Sequence, residues 1–297
     1  MMLFVRPAVH VCDRVPAEVD EALGRSFELV GSPQGADGIV AMLTVTIDEA
    51  YLEAAGAQLR IVANYAVGVN NIDLEAARRR GIVISNTPAV LTGATAEVAL
   101  TLMLSLLRRV TEGDRLIRRR RPWEFSLEFM LGESLAGKTV LIVGAGRIGR
   151  ETARLVEAFG ATSVLAGRDA DLDALLPQAD VVSIHAPLTA ETRHLIDARR
   201  LALMRPTAVV INTARGPVVD EAALAAALRD GTIAGAGLDV YEHEPEVTEA
   251  LLALENVVLT PHLGSATVAA REGMGRLCIE ALHAVLLEGR DPANRVG

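Results

Sequence analysis

The chain's pattern predicts an α/β fold made of two Rossmann-like, doubly wound parallel-sheet domains with a cleft between them. Three observations carry that prediction. Short apolar runs alternate with helical stretches along the chain, which is how strand-helix-strand units build a parallel sheet. One such run, residues 139–143, leads straight into Gly144-Ala145-Gly146-Arg147-Ile148-Gly149 and then into a helical pattern. The alternation pauses over a long helical stretch at 94–118 and then resumes. At 297 residues and 51% hydrophobic content the chain can fill two cores.

In order along the chain, strand-like runs fall at 8–11, 38–43, 60–63 and 82–84, with helical stretches such as 18–23 and 74–80. The stretch 94–118 reads as one long helix, followed by a loop around Pro122, Trp123 and Gly132. From Lys138 a second unit begins, with strands expected at 140–143, 163–166, 181–184, 208–211, 234–238 and 257–259. The last helical stretch, 266–287, has too few residues after it for another domain, so it is expected to return to the first unit. That makes the substrate domain discontinuous, 1–93 plus 267–297, around a dinucleotide domain at 94–266. The chain crossings then fall at the interdomain cleft, where small-molecule sites commonly lie.

Composition narrows the functional classes. A net charge of -9 argues against a nucleic-acid partner, and the run Arg118 to Arg121 reads as a solvated helix end or a subunit contact. Cys12 and Cys278 are isolated, so neither a disulfide framework nor a metal site is expected, and a reducing cytoplasm fits. The N-terminal apolar run is broken by Arg6 and Pro7, unlike a signal peptide. The apolar run 98–107 is too short for a bilayer, which needs about 20 residues; no membrane partner is expected.

The glycine turn is a phosphate-binding motif. Gly144 permits the tight turn, Gly146 lets backbone approach a pyrophosphate, and Gly149 lets helix and strand pack closely. Amides at the start of the helix, around Arg147 and Ile148, then face the anion. Three further polar residues stand at or just after predicted strand ends: Arg215, Glu244 and His262. An arginine can fork onto a carboxylate, a histidine can pass a proton, and a carboxylate can orient and charge that histidine. Taken singly, each also fits an ordinary loop role.

The wording of several segments resembles the D-isomer-specific 2-hydroxyacid dehydrogenases. The segments are ANYAVGVNNID, ISNTPAVLTGATAEVAL, LAGKTVLIVGAGRIG, HAPLT, INTARGPVVDE, AGAGLDVYEHEP and NVVLTPHLGSAT, in the family's order across nearly the whole chain. The nearest wording is that of glyoxylate and hydroxypyruvate reductases. The resemblance implies an NAD(P)-dependent enzyme in which Arg215 holds the substrate's carboxylate and carbonyl oxygen, His262 is the acid/base and Glu244 is its partner. Glu242 competes for the partner role, and the place before Pro245 favours Glu244. By the same resemblance, the backbone of Ala66, Val67 and Gly68 binds the substrate carboxylate. Asp239 bonds the nicotinamide carboxamide, with Thr213, Ala214 and Gly264 nearby, and His185, Ala186 and Pro187 line the adenosine side.

Within that pattern, Gly167 stands where an NAD-preferring member carries its acid, and Arg168 follows directly. This favours NADP; the alternative is NAD, with Asp169 reaching the ribose. Val67 occupies a position where phosphite-oxidising relatives carry lysine, which points to a small 2-oxo acid. D-3-phosphoglycerate oxidation is the alternative activity, and a dinucleotide-sensing corepressor-like binding module the remote one. Large apolar residues at 97–110 and in the arm around Trp123, Phe125 and Phe129 lie where the resemblance implies a two-fold contact, so a homodimer is expected; the alternative is that they cap the sheet of their own subunit.

Overall fold

The structure, a computed structural model, describes residues 6–296. The run considered above as a leader begins at 1–5, outside the described residues. The chain divides into two compact units, Met1–Leu91 with Thr267–Gly297, and Thr92–Ala266.

In the first unit, β1 (Ala8–Val11), β2 (Glu28–Val30), β3 (Gly38–Ala41), β4 (Ile61–Asn64) and β5 (Val83–Ser85) form one parallel sheet in the order β2-β1-β3-β4-β5. β3 and β4 are buried along their full length, as strands covered on both faces must be, and their sequences are accordingly apolar runs. Helices α1 (Ala17–Ser26), α2 (Glu49–Ala55) and α3 (Leu74–Arg79) connect them. Asp48 caps α2 by accepting from the Tyr51 amide at 2.8 Å, and Asp73 caps α3 by accepting from Ala76 at 2.9 Å. The C-terminal helix, Val268–Leu282, packs on α1 and β4. It is tied there by the Tyr65 hydroxyl, which donates to the Arg271 carbonyl.

The second unit opens with α4 (Thr92–Leu107) and α5 (Val110–Arg118), two helices where the sequence pattern predicts one. The Leu107 carbonyl accepts from the Glu133 amide at 2.8 Å, and Arg109 turns into the left-handed region at φ 55°. The returning chain therefore captures the end of α4, an event that helical periodicity cannot register. A six-stranded parallel sheet follows: β6 (Thr139–Val143), β7 (Thr162–Ala166), β8 (Val181–Ile184), β9 (Val209–Asn212), β10 (Gly235–Leu238) and β11 (Val257–Leu259). Its order is β11-β10-β9-β8-β6-β7. Helices α6 (Arg147–Ala158), α7 (Leu172–Leu175), α8 (Ala198–Leu201), α9 (Glu221–Arg229) and α10 (Glu249–Leu252) alternate with the strands. The doubly wound α/β class is thus present in both units. In this second sheet the strand order reverses beside β6, and ligands of open α/β sheets bind outside the carboxyl ends at such a switch point.

Candidate active site

The glycine turn stands at that switch point. The Gly144 amide donates to the Ala166 carbonyl at the end of β7 (2.9 Å), and His185, just past β8, donates to Val143 at 2.7 Å. Gly144 has φ 108°, and a Cβ there would lie 2.5 Å from the Ala186 nitrogen; at Gly149 it would lie 2.1 Å from the Gly144 oxygen. Protein packing therefore accounts for both glycines. Gly146, the residue capping α6 at φ -76°, differs: a Cβ there would meet no heavy atom within 4 Å. Its bareness serves no contact within the protein and fits a pyrophosphate lying against the first turn of a twelve-residue helix, where Arg147 is exposed and Ile148 half-buried.

Around this turn lie the other residues expected to hold a dinucleotide. Gly167, Arg168 and Asp169 are exposed on a β-turn closed by the Ala170 amide on the Gly167 carbonyl at 3.2 Å. Burial pushes the His185 imidazole down to about 4, so the ring is neutral near pH 7; its Nε2 lies 2.8 Å from the Ser183 hydroxyl. Ala186 is buried and Pro187 exposed. The Thr213 hydroxyl is buried without a hydrogen-bond partner among the described residues, an orphan that a bound polar ligand can satisfy. These features fit a nicotinamide dinucleotide. Among the described residues no cluster of His, Cys, Asp and Glu could hold a metal ion.

The trio converges at the carboxyl edge of the same sheet. His262 follows β11, and its Nδ1 lies 2.7 Å from Glu244 Oε2 in the loop after β10. The other Glu244 oxygen accepts from the Tyr241 amide at 3.0 Å. Burial works to raise the Glu244 carboxyl, but the bond to His262, its charge, the Tyr241 amide and the Arg215 guanidinium prevail and hold it below the usual carboxylate range. Arg215, past β9, feels desolvation that lowers its pKa and the Glu244 charge that raises it. Glu242 faces elsewhere: its Oε1 lies 2.6 Å from His194 Nε2, which gives His262 a single carboxylate partner, Glu244, among the described residues. His262 sits at φ 55°, its amide shared between the carbonyls of Asp239 (3.0 Å) and Thr260 (3.1 Å). A side chain held in a sparsely populated backbone region by its surroundings is a common sign of a functional site.

Asp239 is engaged by the protein's own groups. It is fully buried, and its oxygens already accept from the Thr260 hydroxyl (2.6 Å), the Leu263 amide (2.7 Å) and the Gly264 amide (2.8 Å). A carboxylate offers about four acceptor positions, and three of them fold the loop that presents His262. Gly264 is likewise buried, its carbonyl taking the Thr95 hydroxyl at 2.9 Å. Asn212, not among the expected site residues, shapes the loop after β9: its Nδ2 donates to the Arg215 carbonyl at 2.9 Å while its Oδ1 accepts from Ala214 at 3.0 Å. A polar residue ending the apolar run VVIN was the available signal.

In the first unit, the loop after β4 is pinned through its carbonyls. Thr87 donates to Ala66 (2.8 Å), Asn86 to Val67 (2.7 Å) and Asn64 to Gly68 (2.8 Å). Of the three residues whose backbone is expected to bind a substrate carboxylate, Ala66 has its amide on the Asn64 carbonyl at 2.8 Å.

Comparison with known proteins meets the site at this point. Residues 100–264 match the family described as D-isomer specific 2-hydroxyacid dehydrogenase, NAD binding domain. A glyoxylate reductase of Thermococcus kodakarensis is 44% identical over 304 aligned positions, covering 92% of this chain and 91% of the reductase. The crystal structure of the TT0316 protein of Thermus thermophilus superposes with a TM-score of 0.91 at 41% identity, covering 98% of this chain and 100% of that one. An NADPH-dependent glyoxylate/hydroxypyruvate reductase from Sinorhizobium meliloti, in complex with NADP and malonate, superposes with a TM-score of 0.87 at 36% identity, covering 98% and 97%. The family match spans more than half of the chain and contains Arg215, Glu244 and His262, and the relatives extend the likeness to nearly all the rest: the chain belongs to the D-isomer specific 2-hydroxyacid dehydrogenases.

Proposed function

We propose that this NAD(P)-dependent dehydrogenase reduces small 2-oxo acids, glyoxylate and hydroxypyruvate foremost, and prefers NADPH. One observation carries the reading: Glu244 engages Nδ1 of His262 at 2.7 Å, which leaves Nε2 as the ring nitrogen to face a carbonyl oxygen. A bound nicotinamide supplies the hydride. Protonated His262 gives its Nε2 proton to the substrate oxygen as negative charge develops there, and the Glu244 carboxylate favours the charged ring. Arg215 forks onto the substrate carboxylate and shares the charge of the adjacent oxygen. The names of the similar reductases support glyoxylate and do not favour phosphoglycerate oxidation.

The NADPH preference rests on Arg168, exposed on the turn after β7, where a guanidinium can meet a 2′-phosphate. The exposed arm supports a homodimer: Phe125 and Leu127 are 83% and 88% exposed, and Trp123 stacks on Phe129 at 5.8 Å. The free thiols Cys12 and Cys278 accord with a reducing cytoplasm. Initial rates of glyoxylate and hydroxypyruvate reduction at equal NADPH and NADH concentrations test the proposal. No cofactor oxidation with either acid overturns the substrate reading, and a strong NADH preference overturns the cofactor reading.

A further inference from the structure

We infer that Glu221 is a positioning residue for the Glu244–His262 pair, because its carboxylate staples both ends of the loop that carries Glu244. The inference rests on the reductase reading above and adds a residue that the catalytic trio does not include.

Glu221 opens α9 and is buried, 5% exposed. Its Oε2 accepts from the Glu242 amide at 2.9 Å, whereas its Oε1 accepts from the Thr248 amide at 3.2 Å and from the Thr248 hydroxyl. Residues 242 and 248 bracket the segment containing Glu244. The bracket is reciprocal at one end, since the Glu221 amide donates to Glu242 Oε2 at 3.3 Å. Glu242 in turn is held at its other oxygen by His194. Between the two tether points the loop is closed by a backbone bond from Glu246 to the His243 carbonyl at 2.9 Å.

Without the staple, Glu244 keeps only its own contacts to Tyr241 and His262 to define its place. A carboxylate at the first turn of a helix is favoured by the helix dipole and by unpaired amides, which is why a buried acid is tolerated there. Its three donors come from two chain positions, so only a carboxylate, with acceptors on both sides, serves both ends. A glutamine at this place turns an NH2 group toward one of them. The loop then loosens, and Glu244 loses its fixed approach to the imidazole. Misplacement of about 1 Å at a reacting group can lower turnover roughly 10²-fold.

The test is a double-mutant cycle with Glu221→Gln and Glu244→Gln, read by NMR titration of the His262 ring and by steady-state kinetics. Expected are a His262 titration that moves in Glu221→Gln toward its Glu244→Gln value, a fall in kcat of about 10- to 100-fold and unchanged NADPH affinity. In the Glu244→Gln background, Glu221→Gln should then add less than about a twofold effect. A His262 titration unmoved by Glu221→Gln, or effects that multiply independently, overturns the inference. Should Glu221→Gln fail to fold, Thr248→Val removes one donor only and must displace the His262 titration in the same direction; no displacement is equally decisive. The NMR readout needs no turnover, so a wild-type enzyme inactive on 2-oxo acids would sink the substrate reading while still deciding the staple.

Discussion

Exchanging Gly146 and Gly149 separately for alanine divides a ligand-binding role from a packing role within one turn. At Gly149 the added Cβ would sit 2.1 Å from the Gly144 oxygen and 3.0 Å from Ile142 Cγ2. An unstrained carbon-oxygen contact is about 3.3 Å, so β6 and α6 must separate by roughly 1 Å. Overpacking of this kind costs about 1–3 kcal/mol, offset by up to about 1 kcal/mol from replacing a helical glycine. The net cost of up to about 3 kcal/mol lowers Tm by up to about 12 °C for a domain the size of residues 92–266. At Gly146 the Cβ meets nothing within 4 Å, and φ is already -76°. Alanine is a poorer capping residue by a few tenths to about 1 kcal/mol, and it stiffens the unfolded chain by a similar amount, so Tm should move by less than about 2 °C. If a pyrophosphate lies against this residue, the methyl group stands in its way, and NADPH affinity should fall at least about tenfold, or about 1.4 kcal/mol. Fluorescence titration with NADPH and differential scanning calorimetry on both variants give the two readings. Wild-type NADPH affinity in Gly146→Ala would refute the phosphate cradle, and a raised Tm in Gly149→Ala would refute the packing argument.

His262→Ala should bind NADPH normally while glyoxylate reduction falls about 10²- to 10⁴-fold; near-normal turnover would remove the residue from the mechanism. His185 titrates near about 4 in the folded protein against 6.5 when exposed, so its contribution is fully present above pH 6.5. As pH falls from 6.5 to about 4 the unfolded chain takes up this proton first, and up to about 3 kcal/mol of stability is lost. Urea midpoints at pH 7.5 and 4.5 should show that loss, and His185→Gln should reduce the difference between them; an equal difference in both proteins contradicts it. Sedimentation velocity should report a dimer for the wild type and a shift toward monomer for the double variant Phe125→Asp, Leu127→Asp. A wild-type monomer ends the dimer proposal.

Much of the fold was legible because buried parallel strands are written as largely apolar runs; VVSI and VVL are found at the positions expected, 181–184 and 257–259. Strand ends drifted by one residue at Asn64 and Asn212, where the ladder continues onto a polar residue that an apolar pattern excludes. β2 escaped notice because ELV is three residues long, lies at the sheet edge and is not fully buried, so it carries little hydrophobic signal. The glycine turn could be read because its neighbours are local. The place before Pro245 favoured Glu244 over Glu242 only through the family resemblance, since two residues of one loop can face in different directions. The physical ground for that choice is that His194, distant in sequence, takes Glu242. Glu221 and the loop-folding bonds of Asp239 were illegible for the same reason: their partners are recruited only once the sheet has assembled.

The pair at the centre of the proposed chemistry does not hold itself in place. The side chains of His262 and Glu244 are 32% and 34% exposed, and ion pairs at that exposure contribute about 0–1 kcal/mol, too little to fix two loops against each other. Two buried carboxylates do that work, one on each side. Asp239 gathers Thr260, Leu263 and Gly264 around the histidine, and its own carbonyl takes the His262 amide; Glu221 clamps residues 242 and 248 around the glutamate. Each buried oxygen has its donors, which is the condition under which a desolvated carboxylate rigidifies a site instead of destabilising it. The division of labour follows from dielectric: a group that must exchange protons with a substrate needs some access to water and ligand, whereas a group that sets geometry gains strength from being dry. Substitutions at Asp239 should therefore lower stability and His262 positioning together, while Glu244→Gln, whose side-chain oxygen can still take the Tyr241 amide, should chiefly alter proton transfer.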